Sequence, residues 1–218
     1  MGSKQRRQRE RQELRQAILA AARDIAAREG WQAVTIRKVA EAIEYTPPII
    51  YEYFASKEAL LFELLREGFW QVGQIIQAIQ ARGGPAENVL AQVALAYWRF
   101  AFASPELYQV MHGLGGVPFG TSETPQEARS AFAAVREAVR AALEAHGVQR
   151  PDLDGDVDIL WSTLHGLISL TMAGRIAGGE PRAESLVERV VHDLLTAWEV
   201  EGQVAPDSRH QPGDQLSF

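Results

Sequence analysis

Thr35-Ile36-Arg37-Lys38-Val39-Ala40-Glu41-Ala42-Ile43-Glu44-Tyr45-Thr46-Pro47-Pro48-Ile49-Ile50-Tyr51-Glu52-Tyr53-Phe54-Ala55-Ser56-Lys57-Glu58-Ala59-Leu60-Leu61 carries more structural information than any other stretch of this chain. Ile36, Val39, Ala40 and Ile43 recur at helical spacing and give a short helix, about Ile36 to Ile43, one inward face. Ala40 is small enough to let a second helix cross closely. Ile50 and Phe54, four residues apart, turn inward from that second helix, about Pro47 to Phe54. Two such helices joined by a three-residue turn make a helix-turn-helix. Thr46 is placed as the N-cap of the second helix, its hydroxyl supplying the capping oxygen, and Pro47 then loses no helical hydrogen bond. Pro48 biases Pro47 away from the helical region, so the first turn is expected one residue later. Adjacent residues on a short helix cannot all face inward, so Phe54 is core while Tyr51 and Tyr53 are left for other work.

Outward from this block, helical periodicity dominates and nothing alternates like a strand. Leu14, Ala17, Ile18, Ala21, Ala22 and Ile25 form the stripe of a first helix ending near Gly30. Ser56 caps a long helix from Lys57 to about Ala81, close to 37 Å long at roughly 1.5 Å per residue. Arg82-Gly83-Gly84-Pro85 breaks the chain; helices follow from about Ala86 to Ala103 and from Ser104-Pro105 to His112. Gly113 to Pro125 reads as a loop, and the last helices as about Gln126 to His146, Asp154 to Ala177 and Arg182 to Glu199. The expected fold is all-α with about nine helices: 1–60 a helix-turn-helix domain with a basic N-terminal tail, 61–202 a larger helical domain, and 203–218 a disordered tail.

Composition narrows the function. With 218 residues and 46% hydrophobic content the chain can bury a large core. Cysteine is absent, which removes disulfides, thiolate metal sites and a cysteine nucleophile. No metal or other cofactor is expected, since no two-histidine metal motif, phosphate-binding glycine loop, Ser-His-Asp ordering or paired acid cluster is present. The longest apolar stretch, Val157 to Ala173, is short of the roughly 20 residues that span a bilayer and contains Asp158 and His165; no membrane segment is expected, and a cytoplasmic location fits. Net charge is −6, unevenly spread: residues 1–60 hold 11 Lys and Arg against 8 Asp and Glu, while 61–218 hold 11 against 20. A basic head on an acidic body fits a protein that presents one end to a polyanion, although a solvated tail would carry the same charge.

The helix-turn-helix block resembles the signature of the TetR family of transcriptional regulators. The matching residues are Thr35, Ile36, Val39, Ala40, Ile50, Tyr51, Tyr53, Phe54, Ser56, Lys57, Glu58 and Leu60, without a gap in spacing. The resemblance implies that Thr35, Tyr51, Tyr53 and Lys57 contact phosphates and that Pro47, Pro48 and Tyr51 lie at or near base edges; Thr46 joins them as a candidate DNA-binding residue. Lys57 has a physical warrant too, as a cation at a helix N-terminus that already attracts anions. In that family the turn usually carries Gly where this chain has Glu44; if the position is left-handed, Glu costs about 1 kcal/mol relative to Gly. Glu44 and Glu52 also put negative charge near the DNA face, giving the arginine-rich tail more to do.

Beyond residue 65 the reading rests on pattern. Val157, Leu160, Trp161, Leu164, His165, Leu167, Ile168, Leu170 and Met172 spread around most of one helix, and Leu186, Val187, Val190, Val191, Leu194, Leu195 and Trp198 form a stripe on the last. The resemblance implies that 61–202 is a ligand-binding and dimerisation domain and that this helix pair packs against its copy in a homodimer. Trp161-x-x-x-His165-Gly166 and Pro105-Glu106-Leu107-Tyr108-x-x-Met111 are similar to a TetR subgroup with a Trp-His-Gly pattern. Trp98, Phe102, Tyr108, Met111, Trp161 and His165 are the candidate lining for a mainly apolar small-molecule effector, or else core filling; Gly166 is expected to permit close helix packing. The expected function is a ligand-responsive, non-enzymatic regulator, a repressor that binds a palindromic double-stranded operator as a dimer. Two alternatives stand beside it: a helical lipid or small-molecule carrier, and a DNA-binding regulator without effector.

Overall fold

Nine α-helices and one short 3-10 helix account for the regular structure among the described residues, with no strand. The computed structural model describes the backbone of residues 2–112 and 121–204 and the side chains of 4–112 and 121–201. The helices are α1 (Gly2–Glu29), α2 (Ile36–Ala42), α3 (Pro47–Tyr51), α4 (Lys57–Arg82), α5 (Ala86–Ala103), α6 (Pro105–His112), α7 (Gln126–Ala145), α8 (Leu153–Met172) and α9 (Gly179–Val204), with the 3-10 helix at Trp31–Ala33. Of the expected loop, residues 113–120 lie outside the described residues, as does 205–218 of the expected tail.

The chain packs as two units. One comprises residues 1–75 and 99–132, the other 76–98 and 133–218. In the first, Ile18, Ala22 and Ile25 of α1, Val39 and Ala40 of α2, Ile50 and Phe54 around α3, and Leu60 and Leu64 of α4 are buried. In the second, Tyr97 and Trp98 join Val139 of α7, Val157, Leu160, Leu164 and Ile168 of α8, and Val187, Val191, Leu195 and Trp198 of α9. Arg150 holds the α7–α8 connection with a two-pronged pair to the buried Asp156, at 2.9 and 3.0 Å, and reaches Glu201 at 2.8 Å.

Helix ends differ from the sequence expectation where capping chemistry intervenes. α8 stops at Met172 rather than Ala177 because Gly174, at φ 67°, makes a left-handed C-terminal cap: Gly174 N–H bonds Thr171 O and Arg175 N–H bonds Leu170 O, both at 2.9 Å. α9 is longer at both ends than expected; Pro181 sits in its first turn, where its missing N–H is no loss, and the helix runs on through 203–204, two positions assigned to a disordered tail. α3 begins at Pro47, not one residue later. Thr46 occupies the N-cap position with extended backbone, yet its hydroxyl makes no capping bond. Pro48 offers no N–H, and the Ile49 N–H is already given to the Thr46 carbonyl at 3.0 Å.

The turn between α2 and α3 has the same C-cap geometry as the end of α8. Glu44 N–H bonds Glu41 O at 3.2 Å and Tyr45 N–H bonds Ala40 O at 2.9 Å. Glu44 therefore takes the left-handed position, at φ 60°, alone among the described non-glycine residues. The turn keeps a glycine-type shape with a residue that has a Cβ. Glu44→Gly should raise unfolding free energy by about 1 kcal/mol, read as a higher midpoint in urea with unchanged slope; an unchanged midpoint would show that the strain is relieved elsewhere.

Candidate nucleic-acid interface and effector-site residues

Ile50, fully buried, anchors α3 and fixes which face looks out. Pro48, Tyr51 and Glu52, at helical spacings of three and four, share the exposed side, with Glu44, Tyr45 and Thr46 exposed at its leading end. Tyr51 is 54% exposed and Tyr45 48%, too much for phenol rings whose purpose is packing. Pro47 is half-buried. Phe54 is buried, as its spacing from Ile50 requires.

The other signature residues are placed by specific bonds. Thr35 is the N-cap of α2, exposed, its hydroxyl accepting from Lys38 N–H at 3.1 Å. Lys57 opens α4 and donates from Nζ to the Trp31 carbonyl at 3.2 Å, tying the 3-10 helix to the N-terminus of α4. An ammonium has three protons, so this bond does not exhaust it. Ser56 caps α4, accepting from Ala59 N–H at 3.2 Å. Tyr53 is half-buried, with the Arg11 guanidinium 5.7 Å from its ring centre.

The basic segment belongs to α1, which is helical from Gly2. Lys4, Arg6, Arg7, Arg9 and Arg11 are exposed along it. Arg7 and Arg11 line an open groove with Glu10, Leu14, Tyr45, Glu52 and Tyr53. The groove puts cations beside the acidic edge of α3, where the sequence had shown only a conflict of charge. Tyr45 was missed because its exposure depends on the turn at Glu44, a feature of backbone rather than residue type.

The effector-site candidates fall in both units: Phe102, Tyr108 and Met111 in the first, Trp98, Trp161 and His165 in the second. Tyr108 and Met111 are buried on α6, Phe102 is half-buried, and the Tyr108 ring lies 5.0 Å from that of His112. α6 meets α4 closely at Gly68, where an added Cβ would fall 2.5 Å from the Met111 sulfur. In the second unit Trp98 is buried and Trp161, half-buried, stacks on Tyr97 with ring centres 4.3 Å apart. Burial pushes the His165 imidazole below its ordinary range, so near neutral pH it carries one donor and one acceptor rather than a charge.

Two features escaped the sequence. Arg23 of α1 grips Glu106 of α6 through Nε at 3.2 Å and Nη2 at 2.9 Å, with Nη1 3.2 Å from Glu67, and Trp31 Nε1 donates to the Glu106 carbonyl at 3.1 Å. The second concerns Gly166. A Cβ there would meet nothing within 4 Å, so no close helix packing of this chain explains it. It lies instead on an open apolar trough with Leu167, Leu170, Leu186 and Val190. Ile159, 50% exposed, and Leu170, 44% exposed, add uncovered apolar surface on α8.

Two family models match the chain: "Bacterial regulatory proteins, tetR family" over residues 18–64, and "Tetracyclin repressor-like, C-terminal domain" over residues 90–194. No curated protein matches significantly. Solved structures share the fold. A protein of unknown function from Rhodococcus sp. RHA1 is 22% identical with a TM-score of 0.69, over 86% of this chain and 94% of that one. A TetR family transcription regulator from Marinobacter aquaeolei VT8 is 20% identical with a TM-score of 0.62, over 86% and 97%. RolR in complex with resorcinol is 16% identical with a TM-score of 0.58, over 91% and 96%.

Proposed function

This chain belongs to the TetR family, a DNA-binding and non-enzymatic regulator, and we propose that it represses transcription from a palindromic operator that it binds as a homodimer and leaves when a mainly apolar small molecule binds. The observation that carries the DNA half is the outward face of α3, with Tyr51 exposed beside an α1 segment of exposed arginines. Residues 1–60 are the DNA-binding part and 61–202 the part for ligand and dimer, with Thr35, Thr46, Pro47, Pro48, Tyr51, Tyr53 and Lys57 as DNA contacts. Trp161, His165 and Gly166, with Pro105, Glu106, Leu107, Tyr108 and Met111, are the residues on which we place the chain in the Trp-His-Gly subgroup. Where its DNA is, in the cytoplasm, is where we place it; no described helix is long and apolar enough to cross a membrane.

The effector reading rests on the aromatic set of Trp98, Phe102, Tyr108, Met111, Trp161 and His165. These side chains are apolar surface apart from the polar ends of His165 and Tyr108, and they include no clustered cations for a multiply anionic ligand. RolR, a structural neighbour, is a complex with the small aromatic resorcinol. A hundredfold loss of operator affinity requires that the ligand prefer the released conformation by about 2.7 kcal/mol.

Salt-dependent binding tests the DNA contacts. Lys57→Ala should weaken binding to every duplex alike and flatten the salt dependence by about one phosphate contact; Tyr51→Ala should weaken selected duplexes more than random ones. Unchanged affinity in both variants at moderate salt would sink the assignment of this face.

A further inference from the structure

The outward face of α3 carries none of the side chains that grip guanine with two prongs. Between Lys38 and Lys57 the chain contains no Arg, Lys, Asn, Gln or His. That interval includes all of α3, the turn before it and the connection after it. In a major groove, two-pronged recognition of guanine needs Arg or Lys at N7 and O6, and of adenine needs Asn or Gln at N7 and N6. Neither is available from the exposed face of Glu44, Tyr45, Thr46, Pro48, Tyr51 and Glu52. The nearest preceding cations lie on α2, before the turn: Arg37 Nε donates to Glu41 at 2.8 Å, and Lys38 pairs with Glu29.

What this face does offer is complementary to the other two bases. Pro48, the Thr46 methyl and the edges of the Tyr51 and Tyr45 rings are apolar surface of the kind that packs on the thymine C5-methyl. Glu52 is exposed and enters no ion pair among the described residues, and a carboxylate accepts a hydrogen bond from the cytosine N4 amino group. A carboxylate near DNA is ordinarily repelled by phosphates. Here the groove that Glu52 shares with Arg7 and Arg11 supplies the positive surroundings in which it can approach a base.

Resting on the reading of α3 as the base-facing helix, we infer that sequence is read in the major groove by thymine methyl contacts from Thr46, Pro48 and Tyr51 and by cytosine amino recognition at Glu52. Guanine N7 and O6 are not read. Phosphate attraction from the α1 arginines supplies affinity without sequence preference.

The experiment selects duplexes from a random library with the full-length protein, then remakes the preferred duplex with deoxyuridine for half-site thymines, or with 7-deazaguanine for half-site guanines. Deoxyuridine lacks the methyl and 7-deazaguanine lacks the N7 acceptor. Deoxyuridine should weaken binding about fivefold or more while 7-deazaguanine changes it less than about twofold. No loss with deoxyuridine, or a comparable loss with 7-deazaguanine, overturns the inference. Glu52→Ala removes the carboxylate without adding an amide that would itself accept from cytosine N4 or read adenine. As a cytosine reader its loss should lower affinity for the selected duplex relative to random DNA; as mere negative charge it should raise affinity for both equally, which overturns its assigned role. Absence of salt-dependent binding to any duplex would remove the DNA-binding reading itself, an outcome distinct from binding with guanine-dependent specificity.

Discussion

Val190→Arg is expected to leave the helices folded, convert a dimer to a monomer at micromolar concentration, and lower affinity for a two-half-site operator by about a hundredfold or more. Val190 is half-exposed on α9 and lines the trough that Leu186 shares with Gly166, Leu167 and Leu170 of α8. The opposite side of α9, carrying Val187, Val191, Leu195 and Trp198, is already buried within the protomer. The two sides differ in what they have been given to cover them. A symmetric partner would bring its own copy of the trough against this one, and a guanidinium there would be set among apolar side chains beside a second cation, Arg189, whose Asp193 is already paired at 3.2 Å, at a cost of several kcal/mol. DNA binding should follow, because two heads held about 34 Å apart, or a multiple of it, would act as one bivalent ligand, whereas a lone head would keep only its own half-site. Light scattering and a gel shift on full and half operators check this; an unchanged molar mass would move the dimer to another surface.

Much of this architecture was legible because helical periodicity is a local signal. α5 was expected from Ala86 to Ala103 and spans those residues, and Val39 and Ala40 of α2, Ile50 of α3 and Phe54 just past it are buried as their spacing requires, while Ile36 and Ile43 of the same expected face are half-buried. The end of α8 went wrong for a different reason. Apolar residues continue past Met172, and periodicity alone cannot weigh Gly174 as a stop against its tolerance inside a helix. On α9 the single stripe of Leu186, Val187, Val190, Val191, Leu194, Leu195 and Trp198 proved to be two faces, one buried and one half-exposed. A stripe says which residues avoid water and not which partner takes them. The Thr46 cap failed because Pro48 removes one of the two N–H groups a cap can accept from and the other, on Ile49, is given to the Thr46 carbonyl; the sequence shows only the first of these.

Least legible was the joint between Arg23 and Glu106, 83 residues apart, and it supports the second large expectation. The Glu106 side chain is only 10% exposed, and Arg23 bonds it through two nitrogens. Arg23→Met should therefore destabilise the protein by about 2 kcal/mol, below the 3 to 5 typical of fully buried pairs because Arg23 is 29% exposed and water screens part of the loss. Adding Glu106→Gln should restore about half of it, since the amide leaves no unpaired buried charge. Urea unfolding of the two single variants and the double gives the coupling, and additive effects would show that the pair contributes nothing as a pair. The same joint bears on regulation. Glu106 lies on α6 with the effector candidates Tyr108 and Met111, while Arg23 lies on α1, which also carries the exposed arginines. A ligand that shifts α6 must either drag α1 through this pair or break it. In the double variant, operator affinity without effector should stay within about threefold of the parent, while the drop caused by effector shrinks by about tenfold, a loss of coupling of roughly 1.4 kcal/mol. An undiminished response would mean that the signal reaches α1 through α4 alone.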